Sequence, residues 1–451
     1  MCLCAAALCG ALASQARGEG ELAPAVEALA AEALEKSAEL AALREEIKAA
    51  EGLVGPAGAL PDAMGSVGLN DIPVGELALD QDEMSSLGLM VSQRFPSGVS
   101  RRLGREVQRG EAAALRARYR SVENSIVRAV KGAFVDLQYL DEAQVIAEQS
   151  RGLAEDLLAV AEARYATGKV GQQDVFQAQV QLTRMVEALV ALRGQRGATA
   201  ARLNRLLYRP AESAVPKLPA LSLTPASSEE VSAESLLGGN SRLGELAARR
   251  EQAGQRAALA EQWRRPDWTA TVGYMVRAPM EEMPMSGKDM WSASVGIELP
   301  WINRRRHEEE LAAAQAQKRA AEQGIAAELN AVLARVEELS IELGRTEDQL
   351  SLVETGLLPQ AEGALAASRA AYATGMTESV SVLGNQLNLY NLQLQRAQLL
   401  REHEQGLAEL EYEIRGALGG ANMAAGGPPP EMPAMAGPAA AGTKTGAGSA
   451  H

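Results

Sequence analysis

Two kinds of hydrophobic spacing alternate along this chain, and each occurs twice. Leu115, Tyr119, Val122, Ile126, Val130, Ala133, Leu137 and Leu140 step by three and four, the seam of a coiled coil. Ile325, Leu329, Val332, Val336, Leu339 and Leu343 repeat that step. Just ahead of each seam the period drops to two. Val91, Gln93 and Phe95 alternate with Ser92 and Arg94, and Val295, Ile297 and Leu299 alternate with Ser294, Gly296 and Glu298. Period two marks short strands, so two strands per half are predicted, over about 62–96 and about 267–300. Helical segments, about Pro24 to Glu51 and about Ser228 to Trp263, precede them.

Landmarks recur in the same order about two hundred residues apart, which is the signature of a tandem duplication. LPDAMGSVGL from Leu60 answers RPDWTATVGY from Arg265, LMVSQRFP ending at Pro96 answers ASVGIELP ending at Pro300, and YATG at Tyr165–Gly168 returns at Tyr372–Gly375. Each YATG interrupts a helical pattern that then resumes, so Gly168 and Gly375 are read as the tips of two long helical hairpins. The first descending helix, from about Arg101 to Tyr165, is about 100 Å long. The chain then divides into a leader at 1–20, a first repeat at 21–207 with its hairpin at about 101–207, and a proline-rich linker at 208–227. A second repeat occupies 228–420, with its hairpin at about 303–418, and then comes an Ala/Gly/Pro tail at 421–451 that is too low in complexity to pack. Four strands are too few to close a barrel, and open edges are not tolerated in lipid, so closure requires several copies.

Composition excludes several classes. In 451 residues aromatics make up only 3%, and the net charge of −14 lacks the clustered basic face that nucleic acid needs. MCLCAAALCGALASQA at the start fits an export signal ending near Ala11, Leu12 and Ala13, and it holds all three cysteines, Cys2, Cys4 and Cys9. Leu8, ahead of Cys9, does not suit an acylation site. No run of 18 apolar residues marks a membrane-spanning helix. Three histidines, His307, His403 and His451, form no catalytic constellation, so no enzyme and no cofactor are expected. His307 with Glu308, Glu309 and Glu310 reads as an acidic helix start favoured by the helix dipole. The segment MEEMPMSGKDM places Met280, Met283, Met285 and Met290 in a strand connection. Thioethers suit Cu(I) or Ag(I), but methionines in such a loop are more often incidental. All four tryptophans, Trp263, Trp268, Trp291 and Trp301, fall in the second strand region, where a barrel places interfacial aromatics.

The order helix, strand pair, long hairpin, written twice from Glu21 to Gly420, resembles the TolC family of outer-membrane efflux channels. Within it the chain is most similar to the outer-membrane components of heavy-metal, RND-type efflux systems, through LPDAMGSVGLND, GLMVSQRFPSG, RYATGKVGQQDVFQAQ, LNRLLYRP, RPDWTATVGY and GIELPWINRRR. The resemblance implies a mainly α protein with a small β part, forming a homotrimer whose strands make one 12-stranded outer-membrane barrel and whose hairpins make a periplasmic tunnel. It also implies a passive exit duct for heavy-metal ions or drugs, meeting outer-membrane lipid at one end and a periplasmic adaptor and inner-membrane pump at the other. Asp174 and Tyr372 match positions of the family's periplasmic constriction. Ser381, Val382, Leu383, Gly384 and Asn385 stand where relatives carry two aspartates. Thr167, Gly168, Lys169, Val170, Thr374, Gly375, Met376 and Thr377, at the turns, are the expected adaptor contacts. The rival reading is an exported coiled-coil scaffold or adhesin; it accounts for the seams but not for the duplicated strand pairs.

Overall fold

The computed structural model of the chain describes residues 22–72, 84–224, 233–278 and 288–415. The leader, the tail and the loop methionines Met280, Met283 and Met285 lie outside the described residues. The first repeat runs α1 (Leu22–Lys36), α2 (Ala38–Gly52), a single turn α3 (Val54–Ala57), β1 (Met64–Asn70), β2 (Ser86–Phe95), α4 (Gly98–Ala166) and α5 (Gln172–Leu206). The second runs α6 (Ala233–Gly239), α7 (Ser241–Glu261), β3 (Trp268–Val276), β4 (Met290–Ile297), α8 (Arg304–Leu352), a π-turn (Val353–Leu357), α9 (Leu358–Thr374) and α10 (Ser379–Arg415). Among the described residues no helix is long and apolar enough to cross a membrane.

The helix expected from Pro24 to Glu51 is two helices, because Ser37 adopts extended backbone and its hydroxyl accepts the Leu40 N–H at 3.2 Å. The second repeat breaks at the matching place. Asn240 is extended, and its Oδ1 accepts from the N–H groups of Arg242 and Leu243 at 2.9 and 3.0 Å. Short polar side chains of this kind compete with the helical backbone and cap the next helix. In each case the apolar residue three positions on, Leu40 or Leu243, is buried.

Helix α4, 69 residues long, is about 100 Å of continuous helix. It starts at Gly98 rather than Arg101, capped by Ser97, whose Oγ accepts the Ser100 N–H at 3.1 Å. Its counterpart in the second repeat is broken by the π-turn ahead of Pro359. Proline lacks an N–H and its ring clashes with the carbonyl four residues back, so an extra residue in the turn absorbs the misfit. The predicted acidic helix start at His307 takes another form. Helix α8 opens with Arg304, Arg305 and Arg306, and the carboxylates Glu308, Glu309 and Glu310 sit one turn in, each paired with the arginine four residues earlier.

The shorter helices join end to end along the long ones. Leu203 and Leu207, at the end of α5, meet Ala30 and Ala33 of α1 over Val127, Val130, Ala133 and Leu137 of α4. In the second repeat Leu410 meets Leu236 and Leu243 over Val332, Val336, Leu339 and Leu343. The proline-rich segment after α5 is held as a strap. Leu221 enters the cluster of Val135, Leu350, Val353, Leu399 and Leu400. Buried Asp141 accepts from the Leu218 N–H at 2.9 Å and from Arg196 Nε at 2.6 Å. Nearby His403 is fully buried, with Nε2 3.1 Å from Glu347 Oε1. Burial pulls its pKa down, but the carboxylates of Glu404 and Glu347 outweigh that, and the net shift is upward.

The junction of α1 with the strap is an ion pair of Arg209 with Glu32, which Lys36 joins at 2.8 Å. The hydrogen bonds from Arg209 and then from Lys36 hold the Glu32 carboxyl at about 2, against 4.5 for the free group. The folded pKa is the lower one, so the stabilisation is complete above 4.5 and is lost as pH falls toward 2. Glu32→Gln is expected to lower stability by about 1 kcal/mol at neutral pH and by nothing at the acid end of that window. Denaturant unfolding followed by circular dichroism checks this, and a difference independent of pH contradicts it.

Candidate functional site

The four strands form one antiparallel sheet in the order β1-β2-β3-β4, so the halves of the duplication meet between β2 and β3. The register aligns two faces of opposite character. One carries Val67, Leu69, Leu87, Leu89, Val91, Phe95, Trp268, Ala270, Val272, Tyr274, Val276, Trp291, Ala293, Val295 and Ile297, with Gly65 and Gln93. The other carries Ser66, Asn70, Ser86, Ser92, Arg94, Thr269, Thr271, Ser292 and Ser294, with four glycines and four methionines. The apolar face is uncovered in the protomer: Val67, Val295 and Trp291 are 71%, 68% and 75% exposed. On the polar face Ser92 and Thr271 share a hydrogen bond at 2.8 Å. An outward apolar band with a polar interior is the pattern of a transmembrane barrel wall.

At the foot of the sheet Arg94 donates to Asp267 at 2.8 Å and to Glu298 at 3.0 Å, tying β2 to the chain flanking β3 and β4. Asp267 also accepts the N–H of Ser97, the cap of α4, at 3.2 Å. The tryptophans take separate places. Trp268 opens β3 opposite Phe95 and Ile297, whereas Trp291 lies toward the other end of the sheet, opposite Tyr274. Tyr274 is six residue steps along β3 from Trp268, about 20 Å. Trp301 sits exposed in a short turn over Pro300–Asn303. Trp263 is partly buried ahead of β3, stacked on His307 with ring centres 5.4 Å apart.

The two YATG turns share one bonding pattern. Gly168 (φ 67) and Gly375 (φ 82) are left-handed. Lys169 N–H donates to the Arg164 carbonyl and Met376 N–H to the Ala371 carbonyl, both at 2.9 Å. Thr167 and Thr374 each cap a carbonyl three residues back at 3.0 Å. Thr167, Gly168, Lys169, Thr374, Gly375 and Met376 are exposed, while Val170 and Thr377 are half-buried.

Around the turns the two copies differ. Tyr165 is about half exposed, but Tyr372 is buried among Leu157, Leu365 and Val382. Arg164 lies 4.5 Å from the Tyr372 ring centre and also donates to the Tyr372 carbonyl. Burial pushes the Tyr372 phenol up, Arg164 opposes the shift and Asp174 adds to it. Asp174 accepts from the Ser379 hydroxyl at 2.9 Å, and farther up Gln386 donates to the Ser150 carbonyl at 2.8 Å. Asp174 and Tyr372 thus stand in one cluster that ties the first hairpin to the second. Arg164 and Ser379 are further members, which motif matching does not single out, whereas Gln386, whose letter recurs at Gln179, makes a separate tie farther up. The signal for the two members lies in the duplication: Arg164 stands where the second copy has Ala371, and Ser379 where the first copy has Gln172.

A two-faced sheet at the head of paired long hairpins has counterparts among known proteins. A family model described as outer membrane efflux protein matches residues 29–207 and 233–416, one stretch for each repeat. The chain belongs to the outer membrane efflux protein family. No curated protein matches it in sequence. Its fold is similar to that of VceC from Vibrio cholerae, at 21% identity and TM-score 0.74 over 87% of this chain and 97% of that one. CusC is 18% identical at TM-score 0.73, over 86% and 91% of the two chains. The open-state MtrE channel of Neisseria gonorrhoeae is 15% identical at 0.69, over 87% and 89%. The protein is accordingly an outer membrane efflux protein, and its paired strands and long hairpins share the fold of these channels.

Substitutions on the sheet and at the second tip test this geometry. In this efflux protein Val272→Arg, on the apolar face, is expected to cost about 2–4 kcal/mol and to deplete the detergent-stable assembly seen on native gels, while Thr271→Arg on the polar face leaves it; equal loss from both speaks against the assignment of faces. Gly375→Ala, at a left-handed position where the new Cβ also meets Arg164 Nη2 at 3.3 Å, is expected to cost about 1–2 kcal/mol, read as faster amide exchange at the second tip.

Proposed function

We propose that three copies form the exit duct of a tripartite efflux assembly, conducting heavy-metal ions or drugs delivered by a periplasmic adaptor and an inner-membrane pump. The observation that carries this reading is the sheet itself. Among the described residues the outer edges of β1 and β4 have no strand partner within the protomer, and in hydrocarbon every backbone polar group must be satisfied. Copies set edge to edge satisfy them and enclose the polar face as a lumen. The exposed turn residues Thr167, Gly168, Lys169, Thr374, Gly375 and Met376, with Val170 and Thr377, form the adaptor-docking end, since helix tips present backbone and side chains together.

Closure at that end is assigned to the tie between the hairpins. While Arg164 holds Tyr372, and Asp174 holds Ser379, the second hairpin stays against the first. Opening the tip means exchanging these contacts for water or for the adaptor. The charge-assisted bonds of Arg164 and Asp174 make the exchange costly without a partner.

Single-channel recording of detergent-purified trimers in planar bilayers tests the duct and its closure together. Wild type is expected to show small, intermittent conductance, and Arg164→Ala, Asp174→Ala and Tyr372→Ala a several-fold rise. Conductance unchanged in all three variants removes the closure from these residues. No conductance from any variant, in a protein that stays soluble without detergent, favours an exported scaffold instead.

A further inference from the structure

Each of the four strands contains one methionine, and all four methionines point to the same face. Met64, Met90, Met275 and Met290 are the only large apolar side chains on the polar face, whose other members are serine, threonine, glycine, asparagine and arginine. The apolar face, where a flexible hydrocarbon side chain would be at no disadvantage, holds none. A requirement for hydrophobicity does not account for this partition, because Leu, Val and Ile are absent from the polar face. What distinguishes methionine from them is its thioether sulfur.

Their placement is ordered as well. Met275 lies directly opposite Met290 across β3 and β4. Met90 lies opposite Gly273, one diagonal step from Met275, and Met64 lies opposite Ser92, one diagonal step from Met90. Side chains directly opposite have Cβ atoms about 5 Å apart, and diagonal neighbours about 7–8 Å, within reach of a chain as long as methionine. Two glycines leave Met90 room to lie flat: a Cβ at Gly273 would crowd Met90 Cγ at 3.3 Å, and one at Gly88 would touch Met90 Cε at 3.7 Å, with Ser292 Oγ and Asn70 Nδ2 at the same two positions, each 2.8 Å away. Met90 therefore lies over two glycines toward Met275. Met290 and Met64 remain 48% and 66% exposed, open to solute on that face.

We propose that Met90, Met275 and Met290 form a thioether site for a soft monovalent cation, Cu(I) or Ag(I), with Met64 extending it as a second stop along the wall. Uncharged sulfur donors select soft d10 ions and bind hard or borderline divalent ions poorly. Three neutral ligands hold a +1 ion without a carboxylate, so the ion is retained weakly enough to move on, as conduction requires. The inference rests on the reading of the sheet as one third of a barrel whose polar face is the lumen, and it names the solute class that this lumen favours.

The test uses the detergent-purified full chain, Ag(I) as nitrate in chloride-free buffer, and the variant Met90→Leu/Met275→Leu/Met290→Leu, whose side chains keep nearly the same volume. Equilibrium dialysis is expected to show wild type retaining about one Ag(I) per protomer more than the variant, as a single three-sulfur site demands. Zn(II) nitrate is expected to show no difference. The thiols and the other methionines are common to both proteins and cancel in the comparison. Equal Ag(I) retention overturns the site. Conductance in potassium nitrate separates the two readings: if both proteins conduct and only wild type is slowed by Ag(I), site and lumen stand together. Both conducting with equal response sinks the site alone, and neither conducting sinks the channel reading. If the triple variant fails to assemble, methyl NMR of methionine-labelled wild type decides, with Ag(I)-induced shifts expected at Met90, Met275 and Met290; uniform shifts at every exposed methionine overturn the proposal.

Discussion

The requirement that backbone polar groups find partners in hydrocarbon governs this molecule. A four-stranded sheet with one largely apolar, uncovered face is unstable alone in water and, with two open edges, is equally unstable alone in lipid. It persists only as a segment of a closed wall. That wall dictates the rest of the architecture, because it needs its strands delivered in pairs from below. Each repeat supplies one antiparallel pair between a short helix that ascends and a long helix that descends. Arg94, bonded to Asp267 and Glu298, locks the pairs from the two repeats together where wall becomes helix.

Below the wall the chain solves a length problem with few large side chains. Aromatics are scarce, and alanine is the commonest residue on the buried face of α4, including Ala112, Ala114, Ala117, Ala133, Ala143, Ala147 and Ala154. Small residues let helix axes approach closely, so stability is spread along the column in modest clusters instead of one core. Two half-length helices cover one long helix only if their ends meet, and at those junctions Leu203, Leu207, Leu236 and Leu410 gather. The strap carrying Leu221 binds the waist, where buried Asp141 draws on both its backbone and Arg196.

The duplication makes the tips informative. The turns are bonded alike, yet the side-chain contacts that join them use residues at which the copies differ. Arg164 stands opposite Ala371, Asp174 opposite Ser381, and Ser379 opposite Gln172. Even where the letters agree the environments diverge, since Tyr165 is exposed and Tyr372 buried. Sameness sets the scaffold here, and difference sets the tie between hairpins.

Periodicity by itself determined the helices, the strand pairs, the hairpin turns and the duplication, because period, proline and glycine act on the local backbone and are readable wherever they occur. It missed the breaks at Ser37 and Asn240, where a side chain of ordinary helix tolerance turned to its own backbone, and the π-turn ahead of Pro359. Alternation also showed that each strand is two-faced. Only tertiary structure decided which faces line up across four strands, because register is a long-range property and a slip of one residue reverses every side chain. That register gathered methionines from positions 64, 90, 275 and 290 onto one face. In the sequence they span more than two hundred residues, and only the packing of one repeat against the other brought them, like Arg164 and Tyr372, into a single place.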